Sequence, residues 1–160
     1  MKRNKIRTLA TNTLRMRMFM LRHLPLGFFV GLKVLQINKK EAQVSVPYKY
    51  LNKNPFKSIY FAVLAMAAEL STGILAMASI YDATVPVSML VYDMNAAFTK
   101  KATSRIIFKC EQGEEISKAV KASLADGEGK IVTVKSVGRN KEGIQVAEFN
   151  FTWTLKPKNI

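Results

Sequence analysis

The chain has 160 residues, the size of one domain and too short for two with separate cores. Its 49% hydrophobic and 22% charged content excludes a disordered, collagen-like or coiled-coil chain, and one cysteine (Cys110) with one histidine (His23) leaves no internal disulfide, zinc cluster or two-histidine chemistry. The net charge of +14 is uneven: residues 1–40 hold ten Lys/Arg and no carboxylate, which points to a polyanionic partner such as nucleic acid, an anionic membrane or a nucleotide-bearing ligand.

Residues 1–24 share the Arg-rich, acid-free character of a targeting segment, but Arg15, Arg17 and Arg22 interrupt every apolar run, so no signal-peptide core forms. On a helical wheel Leu9, Leu14, Met16, Met18, Met20 and Leu21 cover a broad face with Arg15 and Arg22 opposite, which predicts one basic N-terminal helix docked on the body. Phe28 to Ile37 and Ala42 to Tyr48 read as strands around the turn Asn38-Lys39-Lys40. A turn-rich loop from Asn52 to Ser58 leads into the most apolar stretch, Ile59 to Tyr81, which reads as a long helix. Val85 to Phe98 and Ser104 to Glu111 follow as strands, divided by Thr99-Lys100-Lys101. Ile116, Ala119, Val120 and Leu124 recur at helical spacing, and Asp126-Gly127 closes that short helix. Lys130 to Arg139 and Gly143 to Leu155 form a last hairpin, in which Ala147, Phe149, Phe151, Trp153 and Leu155 alternate with polar residues. No internal repeat is visible. The class is α+β, about six antiparallel strands around a long helix.

That helix is long enough to span a bilayer, for which about 20 residues suffice. Glu69 at its centre and its abundant alanine argue instead for burial in a sheet, which the amphipathic strands supply. A carboxylate on an Ala/Met-lined helix is desolvated, which raises its pKa toward useful acid/base values. The plainer alternative is a structural Glu that caps a backbone group or pairs with a lysine. Ser58 opens the helix, and the free amides of its first turn form a site for an anion or a carbonyl oxygen. At about 1.5 Å per residue Glu69 lies roughly 12 Å beyond the amides around Phe61. A reacting carbonyl has to sit about 3 Å from both, so a shared site requires the helix start of a second subunit.

The order strand, strand, long helix, four strands resembles the hotdog fold of acyl-CoA and acyl-carrier-protein thioesterases. The segment Asn54-Pro55-Phe56-Lys57-Ser58-Ile59-Tyr60-Phe61-Ala62, followed by Ala67-Ala68-Glu69-Leu70-Ser71-Thr72-Gly73, resembles the phenylacetyl-CoA thioesterase type. That type has an Asn, then His-Gly-Gly six residues later, then an acid fifteen residues after the Asn. Asn54 and Glu69 keep the spacing, while Tyr60, Phe61 and Ala62 replace His-Gly-Gly. The same wording resembles an uncharacterised thioesterase-like branch of the superfamily. The resemblance implies Glu69 as general base or nucleophile, the Phe61 backbone amide as oxyanion donor from the partner chain, and Asn54 as the group that positions water or substrate. Ser58, Tyr60, Ala62 and Thr72 would contact substrate, and Lys100, Lys101 and Arg105 would meet the phosphates of coenzyme A. As turn residues those three are also adequately explained by solvation, and helix hydroxyls such as Thr72 commonly bond the preceding turn. Asp82 and Asp93 are runner-up acids, the first ending the helix and the second facing outward from a strand.

The expectation is therefore a cytoplasmic homodimer or dimer of dimers, a single hotdog domain over 1–160, hydrolysing acyl-CoA or acyl-carrier-protein thioesters. It needs no metal or cofactor, coenzyme A entering only as part of the substrate. The alternatives are a non-catalytic binder of acyl thioesters or lipids, suggested by the missing His-Gly-Gly, and a basic surface-binding protein. Nucleic acid is disfavoured because the basic arm lacks interleaved aromatics and no known binding motif appears; contact with a membrane surface through residues 1–24 stays open.

Overall fold

The computed structural model describes residues 4–158. Three short helices come first: α1 (Lys5–Thr11), α2 (Thr13–His23) and α3 (Pro25–Val30). The single helix expected over 1–24 is divided at Asn12, whose side chain accepts the Arg15 amide at 3.0 Å and so starts a new helix. Asn4 caps α1 in the same way and uses its Nδ2 to donate to the Ala78 carbonyl at 2.9 Å and to Asp82 at 2.8 Å. The strand expected from Phe28 starts only at Lys33. Pro25 presets the helical φ of the first turn, and Gly31 ends α3 at φ +80°, a left-handed conformation suited to glycine.

Strands β1 (Lys33–Ile37) and β2 (Ala42–Val46) form the first hairpin. Asn38 holds its turn by accepting the amides of Lys40 and Glu41. The long helix α4 (Phe61–Tyr81) follows, then β3 (Val87–Phe98), β4 (Ile106–Cys110), α5 (Gly113–Asp126), β5 (Lys130–Arg139) and β6 (Gln145–Pro157). All strand pairs are antiparallel, and the sheet order is β1-β2-β4-β5-β6-β3. β6 keeps the alternation read from its sequence: Ala147, Phe149, Phe151, Trp153 and Leu155 are buried.

α4 packs against β2, β4, β5 and β6, the arrangement of a hotdog fold. It is apolar and long enough to cross a membrane, yet most of its surface lies inside the protein. Ala67, Ala68, Ala76 and Ala78 are fully buried, and their small side chains let the helix axis approach the sheet closely. Across the sheet, Phe108 of β4 is paired with Gly138 of β5 and folds its ring over it. Gly113 opens α5 and donates to the Lys40 carbonyl at 2.8 Å, an approach no residue with a Cβ could make because that atom would lie 2.3 Å from the Lys39 oxygen.

β3 is the far edge of the sheet. It is 12 residues long, and from Tyr92 to Phe98 every side chain on both faces is exposed. Leu90, Tyr92, Met94, Ala96, Ala97 and Phe98 thus lie along an open strand edge.

A Cβ on Gly138 would sit 2.5 Å from the buried Phe108 ring. Gly138→Ala is expected to destabilise the fold by about 1–3 kcal/mol in equilibrium urea unfolding. Combination with Phe108→Leu is expected to cost less than the sum of the two changes, because the shorter side chain makes room.

Candidate active site

The site is built around the start of α4. In the loop before it the Asn54 side-chain oxygen accepts the amide of Phe56 at 3.0 Å, the amide of Ser58 at 3.2 Å and the Ser58 hydroxyl at 3.2 Å. Lys57 takes a left-handed φ of +58°, held because its amide donates to the Asn54 carbonyl and its own carbonyl accepts the Tyr48 hydroxyl. Asn54 is thus the organiser of the loop, with only its Nδ2 left to act on a ligand. Ser58 is buried, and its hydroxyl proton is committed to Asn54.

Two further contacts aim the helix. The Tyr60 amide donates to the Asn52 carbonyl and the Ile59 amide to the Ala102 carbonyl, both at 2.8 Å. Asn52 is fully buried and donates from Nδ2 to the carbonyls of Val30 and Pro47, so it ties the helix entry to α3 and the end of β2. No side chain caps α4 at Tyr60. Among the described residues the amides of Phe61 and Ala62 make no hydrogen bond, so two donors of the first turn remain free at the positive end of a 21-residue helix.

The helix start at Phe61 borders a cavity of about 670 Å³. Phe56, Tyr60, Phe61, Leu64 and Phe98 form its apolar walls, and the Phe61 ring meets those of Tyr60 and Phe98 edge-on. Asn54 and Ser58 also line it, and Lys100 and Lys101 bring the only charges, so the cavity is electropositive. Of the residues expected at the site, Asn54, Ser58, Tyr60, Phe61, Lys100 and Lys101 come together here. Ala62 follows Phe61 on the helix, and Arg105 is exposed at the other end of the loop from the two lysines, outside the cavity.

Glu69 does not line this cavity within one chain. It lies two turns further along α4, half-buried, and no described residue donates a hydrogen bond or a cation to its carboxylate. Desolvation alone accordingly holds its pKa above the usual carboxylate value. Neither contact of a purely structural Glu, a capped backbone group or a lysine partner, is present among the described residues. Room for the carboxylate comes from Gly73, one turn on, where a Cβ would stand 3.0 Å from Glu69 Oε1 and 3.4 Å from the Trp153 ring.

Thr72 is fully buried. Its hydroxyl donates to the Glu69 carbonyl at 3.0 Å and accepts the Trp153 Nε1 proton at 3.1 Å, so it steadies the helix against β6 instead of facing the cavity. Asp82 ends α4 and pairs with Asn4 and Arg7; Asp93 is exposed on β3. Cys110 is buried, and burial pushes its thiol up to about 11, which removes it as a nucleophile. The sequence reading missed Asn52, Gly73, Trp153 and Phe98. For Gly73 a signal existed, a glycine in mid-helix exactly four residues after the acid.

Residues 13–155 match the family described as a domain of unknown function, DUF4442, and the chain belongs to that family. No curated protein matches the sequence. Among solved structures, a protein of unknown function from Pseudomonas aeruginosa, named a probable thioesterase, is 19% identical with a TM-score of 0.78, over 92% of this chain and 97% of its own. A protein of unknown function from Chlorobaculum tepidum is 15% identical with a TM-score of 0.76, over 93% of this chain and 99% of its own. A thioesterase from Haemophilus influenzae is 12% identical with a TM-score of 0.66, over 91% of each chain. Likeness at these identities is one of fold: the chain has the hotdog fold.

Because Glu69 is held protonated more readily in the fold than in the unfolded chain, its charge opposes folding. Below its ordinary value of 4.5 both states are protonated and the effect vanishes; as pH rises past the elevated folded value the full penalty appears. Glu69→Gln is therefore expected to raise Tm at pH 7, with the gain shrinking toward zero below that value in thermal melts run across pH.

Proposed function

We propose that this member of the DUF4442 family is a thioesterase that hydrolyses acyl-CoA or acyl-carrier-protein thioesters at a site shared by two subunits. The observation that carries the reading is the Glu69 carboxylate, desolvated and unpartnered, on the same helix as two free first-turn amides. The two features are too far apart to meet on one substrate carbonyl within a chain. The open edge of β3, exposed on both faces and carrying Leu90, Tyr92, Met94 and Phe98 beside Asp93 and Asn95, supports antiparallel pairing with a second copy that would bring one chain's Glu69 to the other's helix start.

In that site the thioester oxygen accepts the Phe61 amide, with the Ala62 amide beside it. Glu69 takes a proton from water as the water oxygen attacks the thioester carbon. The tetrahedral oxyanion is stabilised at the helix start, the C–S bond breaks, and the proton passes from Glu69 to the departing sulfur. The products are a carboxylic acid and a free thiol. Acting instead as nucleophile, Glu69 would attack the thioester carbon and expel the thiolate, which leaves as the thiol with a proton from solvent; water would then open the mixed anhydride, releasing the carboxylic acid and returning the Glu69 carboxylate. The Asn54 Nδ2 can donate to the water or the substrate. The aromatic walls favour an apolar acyl group, and Lys100 and Lys101 suit the phosphates of the carrier.

A second reading, binding without hydrolysis, is favoured by Phe61, whose exposed ring stands where a glycine would let a ligand approach the backbone, and by Tyr60, which stands in the place of the histidine.

Free-thiol release from short, long and aromatic acyl-CoAs tests the reading. Turnover by the wild type and its loss in Glu69→Gln is expected; binding with no turnover on any coenzyme A or carrier-protein thioester selects the second reading. Phe61→Pro deletes the amide at the first helical position, where proline is tolerated, and is expected to lower kcat about 100- to 1000-fold, with Phe61→Ala as the amide-retaining control. Mixing Glu69→Gln with Phe61→Pro chains should restore part of the activity through one intact site per hybrid dimer. Tyr92→Lys with Met94→Lys, which charges the β3 edge, is expected to yield monomers by light scattering and to abolish turnover.

A further inference from the structure

α2 presents two apolar stripes, of which only one is used by the fold. Met16 and Met20, 4% and 1% exposed, pack inward. Leu14, Met18 and Leu21 are 73%, 58% and 41% exposed. At about 100° per residue these three fall on one line, roughly 150° around the helix from the buried pair, so the ridge points away from the body. Arg15 and Arg22 flank the ridge on one side and Arg17 on the other, all three exposed. The Arg17 guanidinium lies over the Phe28 ring at 4.5 Å, which fixes it at the edge of the ridge. α3 packs on α2 and exposes Leu26 and Phe29 as well.

The electrostatics are as one-sided as the geometry. α1, α3 and β1, the elements packed against α2, contain no carboxylate, and none of the three arginines makes an ion pair among the described residues. An apolar ridge between rows of arginine is the pattern of a helix lying in the plane of a bilayer surface, its apolar side chains at the acyl boundary and its cations at the headgroups. A nucleic acid would meet the cations but leave the ridge against water or phosphate. A second copy docking by the same face would set arginine against arginine.

We propose that α2 is an interfacial anchor that docks this protein on anionic lipid bilayers through Leu14, Met18 and Leu21, with Arg15, Arg17 and Arg22 as headgroup contacts. The proposal stands apart from the thioesterase reading, since none of these residues touches the cavity.

The test is co-sedimentation of the full chain with vesicles of phosphatidylcholine alone or with about 30% phosphatidylglycerol, at low salt and at about 0.5 M salt. Binding to the anionic vesicles is expected, at least about tenfold above the neutral ones and weakened by salt. Leu14→Ser, Met18→Ser and Leu21→Ser together should lower it about tenfold with the fold and the oligomeric state retained, since all three side chains are exposed. Arg15→Gln with Arg22→Gln should weaken binding and flatten its salt dependence. Absence of sedimentation with anionic vesicles would overturn the proposal. So would a triple variant that still binds them like wild type, which marks a bare polyanion contact also met by duplex DNA, or one that changes mass in solution, which marks an interface between copies.

Discussion

A 21-residue helix with a single charged side chain must be covered on nearly every side, and the rest of this molecule is arranged to do so. Full burial of an apolar side chain stabilises by about 1.5–3 kcal/mol, and α4 buries its aliphatic side chains together with alanines that bring the axis down onto the sheet. The four strands β2, β4, β5 and β6 form the floor. α1 is tied across the far end of α4 by Asn4 and Arg7, and α5 closes a flank. Asn52 and the Asn54 loop then fix where the helix may begin. The two features of the candidate site belong to this helix: its first amides are free because no side chain caps its start, and its acid is desolvated because the sheet and the neighbouring helices surround it.

The same burial makes Glu69 costly. A carboxylate with neither cation nor donor gains nothing from its place in the fold, and the mid-helix glycine that makes room for it weakens the helix by about 1 kcal/mol relative to alanine. Two concessions at adjacent turns, both on the same buried helix, have no compensation in the fold itself, which is why the proposed site is placed there. Thr72 and Trp153 stand behind them as a support, joining the helix turn that carries Glu69 to the most regular strand of the sheet.

Two surfaces remain uncovered when the helix has been enclosed. The β3 edge carries unpaired backbone groups beside apolar side chains, a feature that matches a second sheet edge. The α2 ridge carries apolar side chains between cations, a feature that matches a lipid surface. They differ in what is left unsatisfied: hydrogen-bonding groups in the first, hydrophobic area and positive charge in the second.

Much of this was legible in the residues. Strict alternation identified β6, the Ala-rich apolar run with one acid identified the buried helix, and the Asn54–Glu69 spacing located loop and acid. The pattern worked because each of these segments is governed by one periodicity. It failed where local signals compete: Phe28 to Val30 has strand composition, but Pro25 and Gly31 enclose a helical turn, and Asn12 splits the N-terminal helix by capping its second half. A broad apolar face on that helix could not reveal which of its two stripes faces inward. Nor could the sequence tell that Thr72 belongs to Trp153, or that Asn52 ties the start of the long helix to α3 and the end of β2. Those contacts join residues up to 81 positions apart, and which partner a hydroxyl or an amide finds depends on how strands and helix are brought together, not on its neighbours in the chain. Periodicity determined the elements and the residue types at the site; only the packing decided which groups are left without a partner, and therefore which can react or bind.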